Sequence, residues 1–174
     1  MTPHLALRAA VRDVIDFPKP GIVFKDITPI LANATLFHDS ISLLCDFTRH
    51  LKIDKVAGID ARGFIFAAAV ADRLGAGFVP IRKKGKLPWK TRENSYALEY
   101  GDAIIEIHED AVQAGESILL VDDLIATGGT AVAAAQLLTG LGAKLVGISV
   151  LIELSFLGGR SKLTPHPVYS VLTY

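Results

Sequence analysis

Short apolar runs alternate with helical repeats along the middle of the chain. The runs that indicate buried strands are Lys55–Asp60, Phe78–Arg82, Ser117–Val121 and Leu145–Ile152. Apolar residues recur at helical spacing in Gly63–Leu74 and in the alanine-rich segment Gly128–Leu141. Because strands that alternate with helices form parallel sheets, the pattern predicts an α/β fold, with a twisted parallel sheet and helices on both faces.

The N-terminal third follows a different pattern. Thr2-Pro3 is a typical helix start, and apolar residues continue at helical spacing from Leu7 to Ile15. Asn33 is suited to cap a second helix, whose apolar face is predicted to continue to Leu51. Between the two helices, Ile22–Phe24 is a short apolar run that follows a stiff segment rich in proline.

A basic stretch and a hairpin pattern interrupt the α/β alternation. Residues 83–95 lack apolar periodicity and predict a mobile loop. Strand patterns at Tyr96–Tyr100 and Ala103–His108 flank Gly101-Asp102, which predicts a β-hairpin. Near the C-terminus, Val168–Leu172 predicts an edge strand.

Length and composition indicate one folded domain. The balanced charge indicates that any basic binding site is confined to a small part of the surface. The chain has 174 residues, of which 51% are hydrophobic, and this excludes general disorder. Basic and acidic residues number 18 each, so a general nucleic-acid binder is not expected. No apolar run is long enough to cross a membrane and no signal peptide is evident, so a cytosolic location is expected. The single cysteine, Cys45, lies on an apolar helical face and is expected to be a core residue.

The segment Ile118–Thr130 carries the clearest chemical pattern. An apolar strand leads into Asp122-Asp123, then into a small turn with Gly128-Gly129, and a helix begins at once. N–H groups at a helix start bind anions, and Thr127 and Thr130 add hydroxyl donors. The acid pair suits sugar hydroxyls or water-mediated magnesium. A phosphosugar site and an ordinary capped glycine turn are both consistent with these residues alone.

Two common nucleotide-binding motifs are absent from the sequence. Gly58 and Gly63 have the spacing of a Walker loop, but Phe64-Ile65 replaces the required lysine and hydroxyl residue. No G-x-G-x-x-G follows any predicted strand, so a dinucleotide-binding fold is not supported.

The stretch Val121–Thr130 resembles the phosphoribosyl-diphosphate motif of the type I phosphoribosyltransferases. The resemblance implies that the 5-phosphate is held by Ala126, Thr127, Gly128, Gly129 and Thr130. It also implies that Asp122 and Asp123 face the ribose hydroxyls and that Mg2+ is held mainly by substrate and water. Further blocks resemble the members of this family that use adenine, and they cover nearly the whole chain: Phe17–Ile27, Gly58–Phe64, Arg82–Pro88 and Tyr96–Gly101.

That resemblance implies a fold division and an activity. It implies one domain over residues 1–174, with an N-terminal base-binding hood to about residue 32, a phosphosugar-binding core to about residue 153, a flexible β-hairpin loop and a short tail. The expected reaction transfers the phosphoribosyl group of phosphoribosyl diphosphate to adenine, and the expected assembly is a homodimer. No nucleic-acid or membrane partner is expected.

The resemblance also assigns roles to individual residues. Adenine would stack on Phe24, while the backbone of Val23 and Lys25 reads its amino edge. From the residues alone, a short core strand is the favoured interpretation of Ile22–Phe24. Glu99 corresponds to the family's active-site carboxylate, although a surface glutamate is the simpler interpretation of the pattern.

The diphosphate is expected to meet two basic segments. Asp60, Ala61 and Arg62 correspond to the family's diphosphate loop, and a strained or cis peptide is predicted between Asp60 and Ala61. Arg82, Lys83 and Lys86 belong to the basic stretch that would screen the leaving group. A solvated charged surface is the alternative for that stretch.

Two other functions stay open at this point. A related transferase could use a 6-oxopurine or orotate, although the block at Phe17–Ile27 argues against it. A non-enzymatic regulator that binds the phosphosugar would need a nucleic-acid-binding extension, whereas only a short helix precedes Phe17.

Overall fold

The computed structural model describes residues 2–97 and 102–174. These residues form two compact units, which divide between Leu43 and Leu44. Among the described residues, no helix is long and apolar enough to cross a membrane. The helices, in chain order, are α1 (Pro3–Ala10), α2 (Thr28–Leu31), α3 (Ala34–Asp46), α4 (Arg62–Leu74) and α5 (Gly129–Gly140).

The N-terminal unit contains a helix and a two-stranded antiparallel sheet. Helix α1 begins at Pro3, after Thr2, as predicted. The prediction that the helix continues to Ile15 is wrong, because α1 ends at Ala10 and the chain enters β1 (Arg12–Ile15). Strand β1 pairs with β2 (Val23–Asp26), so cross-strand hydrogen bonds replace the helical ones. Val14 and Ile15 fit the helical spacing that begins at Leu7, but a segment of four residues is too short for its pattern to distinguish the two conformations.

The predicted length of the next helix is also wrong at its C-terminal end. The Asn33 side chain accepts a hydrogen bond from Leu36 N at 3.1 Å, which confirms Asn33 as the cap of α3. The helix ends at Asp46 and does not reach Leu51. Both the N–H and the hydroxyl of Thr48 donate to the carbonyl of Cys45, and they close the last turn there. Cys45 itself is buried, as expected, and burial raises the pKa of its thiol.

The larger unit is built on a seven-stranded sheet in the order β5-β6-β4-β3-β7-β8-β9. Strands β4, β3, β7, β8 and β9 pair in parallel, and the hairpin β5-β6 joins β4 antiparallel. The strands are β3 (Lys55–Ile59), β4 (Gly77–Lys83), β5 (Thr91–Ala97), β6 (Asp102–His108), β7 (Ser117–Ile125), β8 (Lys144–Glu153) and β9 (Val168–Thr173).

Helices cover both faces of this sheet, as predicted. Ile118 and Leu120 of β7 belong to a core cluster that includes the alanines of α5. The β3 residue Gly58 faces the other way, where the nearest side chain is Ala67 of α4. The alternation of side chains along the strands therefore assigns α5 to one face and α4 to the other.

The basic stretch 83–95 is more ordered than its composition predicts. Its second half forms β5, which pairs with β6 from Thr91 to Ala97. The predicted mobile loop is therefore reduced to the turn between Lys83 and Thr91, and the predicted hairpin has a longer first strand. Cross-strand pairing with Ile104, Ile105 and Ile107 supplies the order that the polar sequence does not indicate.

Strand register sets the position of the polar residues. Gly58 of β3 is paired with Val121 of β7 in a parallel ladder. Asp60 and the pair Asp122-Asp123 therefore follow at the same edge of the sheet. The carboxyl edge of a parallel sheet is where α/β proteins bind ligands.

Substitution of Gly58 tests the packing of α4 on the sheet. An added Cβ would lie 2.5 Å from the Ala67 Cβ, so one of the two elements must shift. We expect Gly58→Ala to lower the free energy of unfolding by about 1–3 kcal/mol, the usual range for overpacking, as measured by urea denaturation.

Gly140→Ala is the matched control. Gly140 is the last residue of α5, and nothing lies within 4 Å of its added Cβ. We expect this variant to be as stable as the native chain or more stable, because alanine favours helix. Equal stability of the two variants would contradict the proposed close contact.

Candidate active site

A cavity of about 380 Å³ opens at the carboxyl edge of the sheet. It lies between the loop that follows β3 and the loop that joins β7 to α5. Its lining consists of Ile59, Asp60, Ala61, Arg62, Tyr96 and the continuous stretch Asp122–Ala131. The structure therefore brings the two predicted polar segments together in one cavity.

The start of α5 forms a cradle for an anion. Gly128 precedes the helix with φ +82°, a backbone conformation that other residues rarely adopt. The first N–H groups of a helix have no carbonyl partner within it, and the helix dipole favours negative charge there. Ala126, Thr127, Gly129 and Thr130 line the cavity beside Gly128. All five residues predicted to hold a phosphate thus surround one helix N-terminus.

A further glycine, Gly159, packs against the backbone of this cradle. Gly159 is buried in a short 3-10 helix, and its carbonyl would lie 2.6 Å from a Cβ added at Gly128. A Cβ at Gly159 would in turn lie 2.3 Å from the Ala126 carbonyl. The two backbone segments are therefore in direct contact with no side chain between them.

The acid pair lies on the floor of the cavity. Asp122 accepts a hydrogen bond from Asp123 N at 2.9 Å, and its carboxylate occupies the space above Gly63, where a Cβ would come within 2.4 Å of it. The Asp123 carboxylate lies 2.8 Å from Arg62 Nε in an ion pair without hydrogen-bond alignment. Each carboxylate is thus held in place by local groups.

The pKa of each acid in this pair is raised. Loss of water around Asp122 raises its pKa well above the ordinary carboxyl range, and the charge of Asp123 raises it further. Burial also raises the pKa of Asp123, although the guanidinium of Arg62 opposes the shift. Two carboxyls this close cannot both ionise freely, so protonation of one of them is favoured.

The loop that follows β3 has the predicted backbone geometry. The peptide bond between Asp60 and Ala61 is cis, which confirms the sequence prediction. The Asp60 carboxylate accepts a hydrogen bond from Arg82 Nε at 3.0 Å. Arg62 begins α4 and faces Asp123, so two of the predicted diphosphate-binding cations are already paired with acids of the same site.

The remaining predicted cations lie elsewhere on the surface. Lys83 and Lys86 are exposed, and neither lines the cavity described above. The Lys86 carbonyl accepts a hydrogen bond from Arg82 Nη1 at 3.1 Å. The backbone of this basic turn, rather than its ammonium groups, is therefore what contacts Arg82.

The predicted base-binding segment belongs to the N-terminal unit. Val23 is 46% exposed and Phe24 is only partly buried, so the alternative of a short core strand is wrong. Phe24 makes an edge-to-face contact with Phe17, with centroids 5.1 Å apart. Lys25 Nζ lies 2.6 Å from the Asp13 carboxylate, so its side chain stabilises β1 against β2.

Glu99, the predicted catalytic carboxylate, lies outside the described residues. Two residues at the site, Tyr96 and Gly159, were given no role from the sequence. Tyr96 could have been noticed as the first residue of the block Tyr96–Gly101 that resembles the family. Gly159 matters because a side chain there would displace the backbone at Ala126, and no sequence pattern at that position indicates such a contact. Gly63 belongs to the predicted diphosphate loop, and the structure shows that the Asp122 carboxylate occupies the space where its side chain would lie.

The donors of this site suit a cation that is held chiefly by substrate. Among residues 2–97 and 102–174, no group of three or more His, Cys, Asp or Glu side chains converges as a metal site. Asp122 and Asp123 nevertheless supply two adjacent carboxylates at the cavity floor. Carboxylates with several waters and substrate oxygens form the usual environment of magnesium.

Comparison with known sequences gives a consistent picture. The model of the phosphoribosyl transferase domain matches residues 27–172. An adenine phosphoribosyltransferase from Parafrankia sp. (strain EAN1pec) is 58% identical over 166 residues, which cover 95% of this chain and 90% of that protein. A second, from Acidothermus cellulolyticus, is 58% identical over 164 residues, covering 94% and 93%.

Solved structures agree with the sequences. The crystal structure of adenine phosphoribosyltransferase from Rhodothermus marinus superposes with a TM-score of 0.95 at 48% identity, covering 99% of this chain and 98% of that one. The enzyme from Saccharomyces cerevisiae, in complex with an imino-altritol bisphosphate and adenine, superposes with a TM-score of 0.93 at 41% identity, covering 98% of both chains. The chain described here therefore belongs to the adenine phosphoribosyltransferase family.

Proposed function

We propose that this protein transfers the phosphoribosyl group of phosphoribosyl diphosphate to adenine, giving AMP and diphosphate. One observation carries the proposal: an anion-binding helix N-terminus and a buried acid pair line the same cavity. A phosphate monoester and a ribose diol need these two surfaces side by side. The family of the chain supplies the identity of the base.

The phosphosugar is oriented by the loop from β7 to α5. Ala126–Thr130 would hold the 5-phosphate through N–H groups and hydroxyls. Asp122 and Asp123 would accept hydrogen bonds from the ribose hydroxyls and hold Mg2+ through water. Bound in this way with the substrate, Mg2+ supplies positive charge that stabilises the departing diphosphate.

The diphosphate would lie against the loop that follows β3. Asp60, Ala61 and Arg62 line the cavity, and Arg82 donates a hydrogen bond to Asp60. Lys83 and Lys86 would approach only when the ligand is bound. Cleavage of the bond from C1 to diphosphate develops positive charge on the ribose, so water must be excluded.

The base is assigned to the N-terminal unit by family resemblance. Adenine would stack on Phe24, with the backbone of Val23 and Lys25 at its amino edge. A carbonyl accepts from the 6-amino group of adenine and repels a 6-oxo group, and such unpaired polar contacts discriminate strongly. The Lys25 ammonium is engaged by Asp13, so the proposed contact with adenine uses the backbone of Lys25.

Several finer assignments remain predictions. They are the homodimer, the cytosolic location and the division of the chain into one domain with a base-binding hood, a phosphosugar core and a tail. The site residues named above are likewise proposals.

Base competition tests the proposed activity directly. We expect AMP from adenine, phosphoribosyl diphosphate and magnesium, with at least a hundredfold lower kcat/KM for hypoxanthine and guanine because their 6-oxo groups oppose the carbonyl. Product detection by chromatography measures all three rates. Equal turnover of hypoxanthine would contradict the assigned base, and no turnover of any base would contradict the reaction.

Replacing Asp122 separates stability from function. A raised folded pKa means that the folded state binds more protons than the unfolded one above about pH 4, so stability falls as pH rises through that window. We expect Asp122→Asn to raise the thermal midpoint at pH 7 and flatten its pH dependence. The same variant should lose more than tenfold in kcat/KM for phosphoribosyl diphosphate.

Glu153→Gln is a control in which the expected change in stability at pH 7 has the opposite sign. Arg160 donates to Glu153 and lowers the pKa of that carboxyl, so the pair stabilises the folded state above the ordinary carboxyl pKa. We expect this variant to be less stable at pH 7 than the native chain and to gain on it as pH falls. A fall in the midpoint of Asp122→Asn at pH 7 would contradict the argument.

Glu99→Gln tests the carboxylate assigned by resemblance. A group that assists proton transfer near the base acts in the transition state, so we expect kcat to fall at least a hundredfold and KM for adenine to change little. Steady-state kinetics measures both. An unchanged kcat would remove Glu99 from the catalytic role.

A further inference from the structure

Glu106 is a buried carboxylate that none of the roles above explains. It lies on β6, is 3% exposed, and is aligned with Arg82 on β4 and with Glu93 on β5. A buried carboxylate is costly unless it is fully hydrogen-bonded. Its partners therefore indicate what it does.

Those partners are backbone groups of the basic turn. Glu106 Oε1 accepts hydrogen bonds from Lys86 N at 2.9 Å and from Leu87 N at 2.8 Å. The Thr91 hydroxyl lies 3.4 Å from Oε2, at the end of the same turn. Burial alone would raise the pKa of Glu106, but N–H groups of Leu87, Gly85 and Lys86 lower it, so the carboxylate is ionised at neutral pH.

The turn connects this carboxylate to the cavity. The Lys86 carbonyl accepts from Arg82 Nη1 at 3.1 Å, and Arg82 Nε donates to Asp60 at 3.0 Å. A guanidinium with these two acceptors has a fixed plane and direction. Asp60 lines the cavity, so the chain of contacts runs from Glu106 through the turn and Arg82 to the diphosphate loop.

We propose that Glu106 is a positioning residue for the diphosphate end of the site: it anchors the backbone of residues 85–87, and this backbone holds Arg82 against Asp60. The inference rests on the proposed transfer reaction. Glu106 touches neither the sugar nor the base in this scheme. Its effect is therefore confined to affinity for the diphosphate group.

Glu106→Gln is the appropriate variant, because it keeps the shape of the side chain and removes its charge. We expect KM for phosphoribosyl diphosphate and the inhibition constant of free diphosphate to rise together by about tenfold, the effect of losing one or two charge-assisted hydrogen bonds. The kcat and KM for adenine should stay within about twofold. A residue that only stabilises the fold would not separate these constants.

The matched control is Glu93→Gln. Glu93 lies opposite Glu106 in the hairpin, and its carboxylate pairs with Lys84 at 2.7 Å. Glu93→Gln removes the same charge from the same row of the sheet. Among the contacts described, Glu93 makes no hydrogen bond to residues 85–87. We expect its kinetics to match those of the native chain.

An Arg82→Met background tests the pathway. If Glu106 acts through Arg82, then Glu106→Gln has no further effect on KM for phosphoribosyl diphosphate when Arg82 is already replaced. An equal effect in both backgrounds would overturn the proposal, as would unchanged constants in the single variant. Absence of AMP synthesis by the native chain would instead refute the proposed function.

Amide hydrogen exchange of the native protein tests the proposal even if Glu106→Gln does not fold. The Lys86 and Leu87 N–H groups should exchange with solvent at least a hundredfold more slowly than the amide of Lys90, on the same turn. This protection would show that the anchor persists in solution. Exchange at equal rates would overturn the proposal without any variant.

Discussion

The whole site depends on keeping negative charge at the carboxyl edge of the sheet, where an anionic ligand is also to be bound. Asp60, Asp122 and Asp123 meet there because the parallel register of β3 and β7 places their strand ends side by side. Each carboxylate is accommodated by a neighbour: Arg82 for Asp60 and Arg62 for Asp123, while Asp122 accepts the N–H of Asp123. Buried charge persists only with such partners, so the acids and cations of this site form one unit.

This mutual pairing separates two kinds of groups in the cavity. The start of α5 offers backbone N–H groups and the helix dipole, which need no counter-charge and lie next to the acid pair. The two guanidinium groups near the loop that follows β3 are instead paired with carboxylates, because Arg82 donates to Asp60 and Arg62 lies against Asp123. An anion at the start of α5 would therefore meet backbone donors, whereas an anion beside the other loop would meet guanidinium groups that neighbouring acids hold in place.

Sequence patterns predicted the fold correctly where local chemistry alone determines the conformation. Buried strands, the cap at Asn33 and the glycine turn before α5 follow from local chemistry, and the cis bond at Asp60 follows from family resemblance. The predictions failed where strand pairing decides the conformation. Val14 and Ile15 fit a helical spacing, but Arg12–Ile15 pairs with β2; Thr91–Ala97 is mostly polar, yet it pairs with β6. Gly159 was missed because its role is to leave space for the backbone at Ala126 and Gly128.

The contact between Gly128 and Gly159 has a consequence for redesign of the enzyme. Because the two backbones touch there without side chains, exchanging side chains at Gly128 and Gly159 cannot reshape the start of α5. A change in how the cavity accommodates a sugar phosphate must instead come from lining residues that carry larger side chains, such as Tyr96 and Leu124. Selectivity for other pentose esters is thus adjustable at those lining positions and not at the glycine contact.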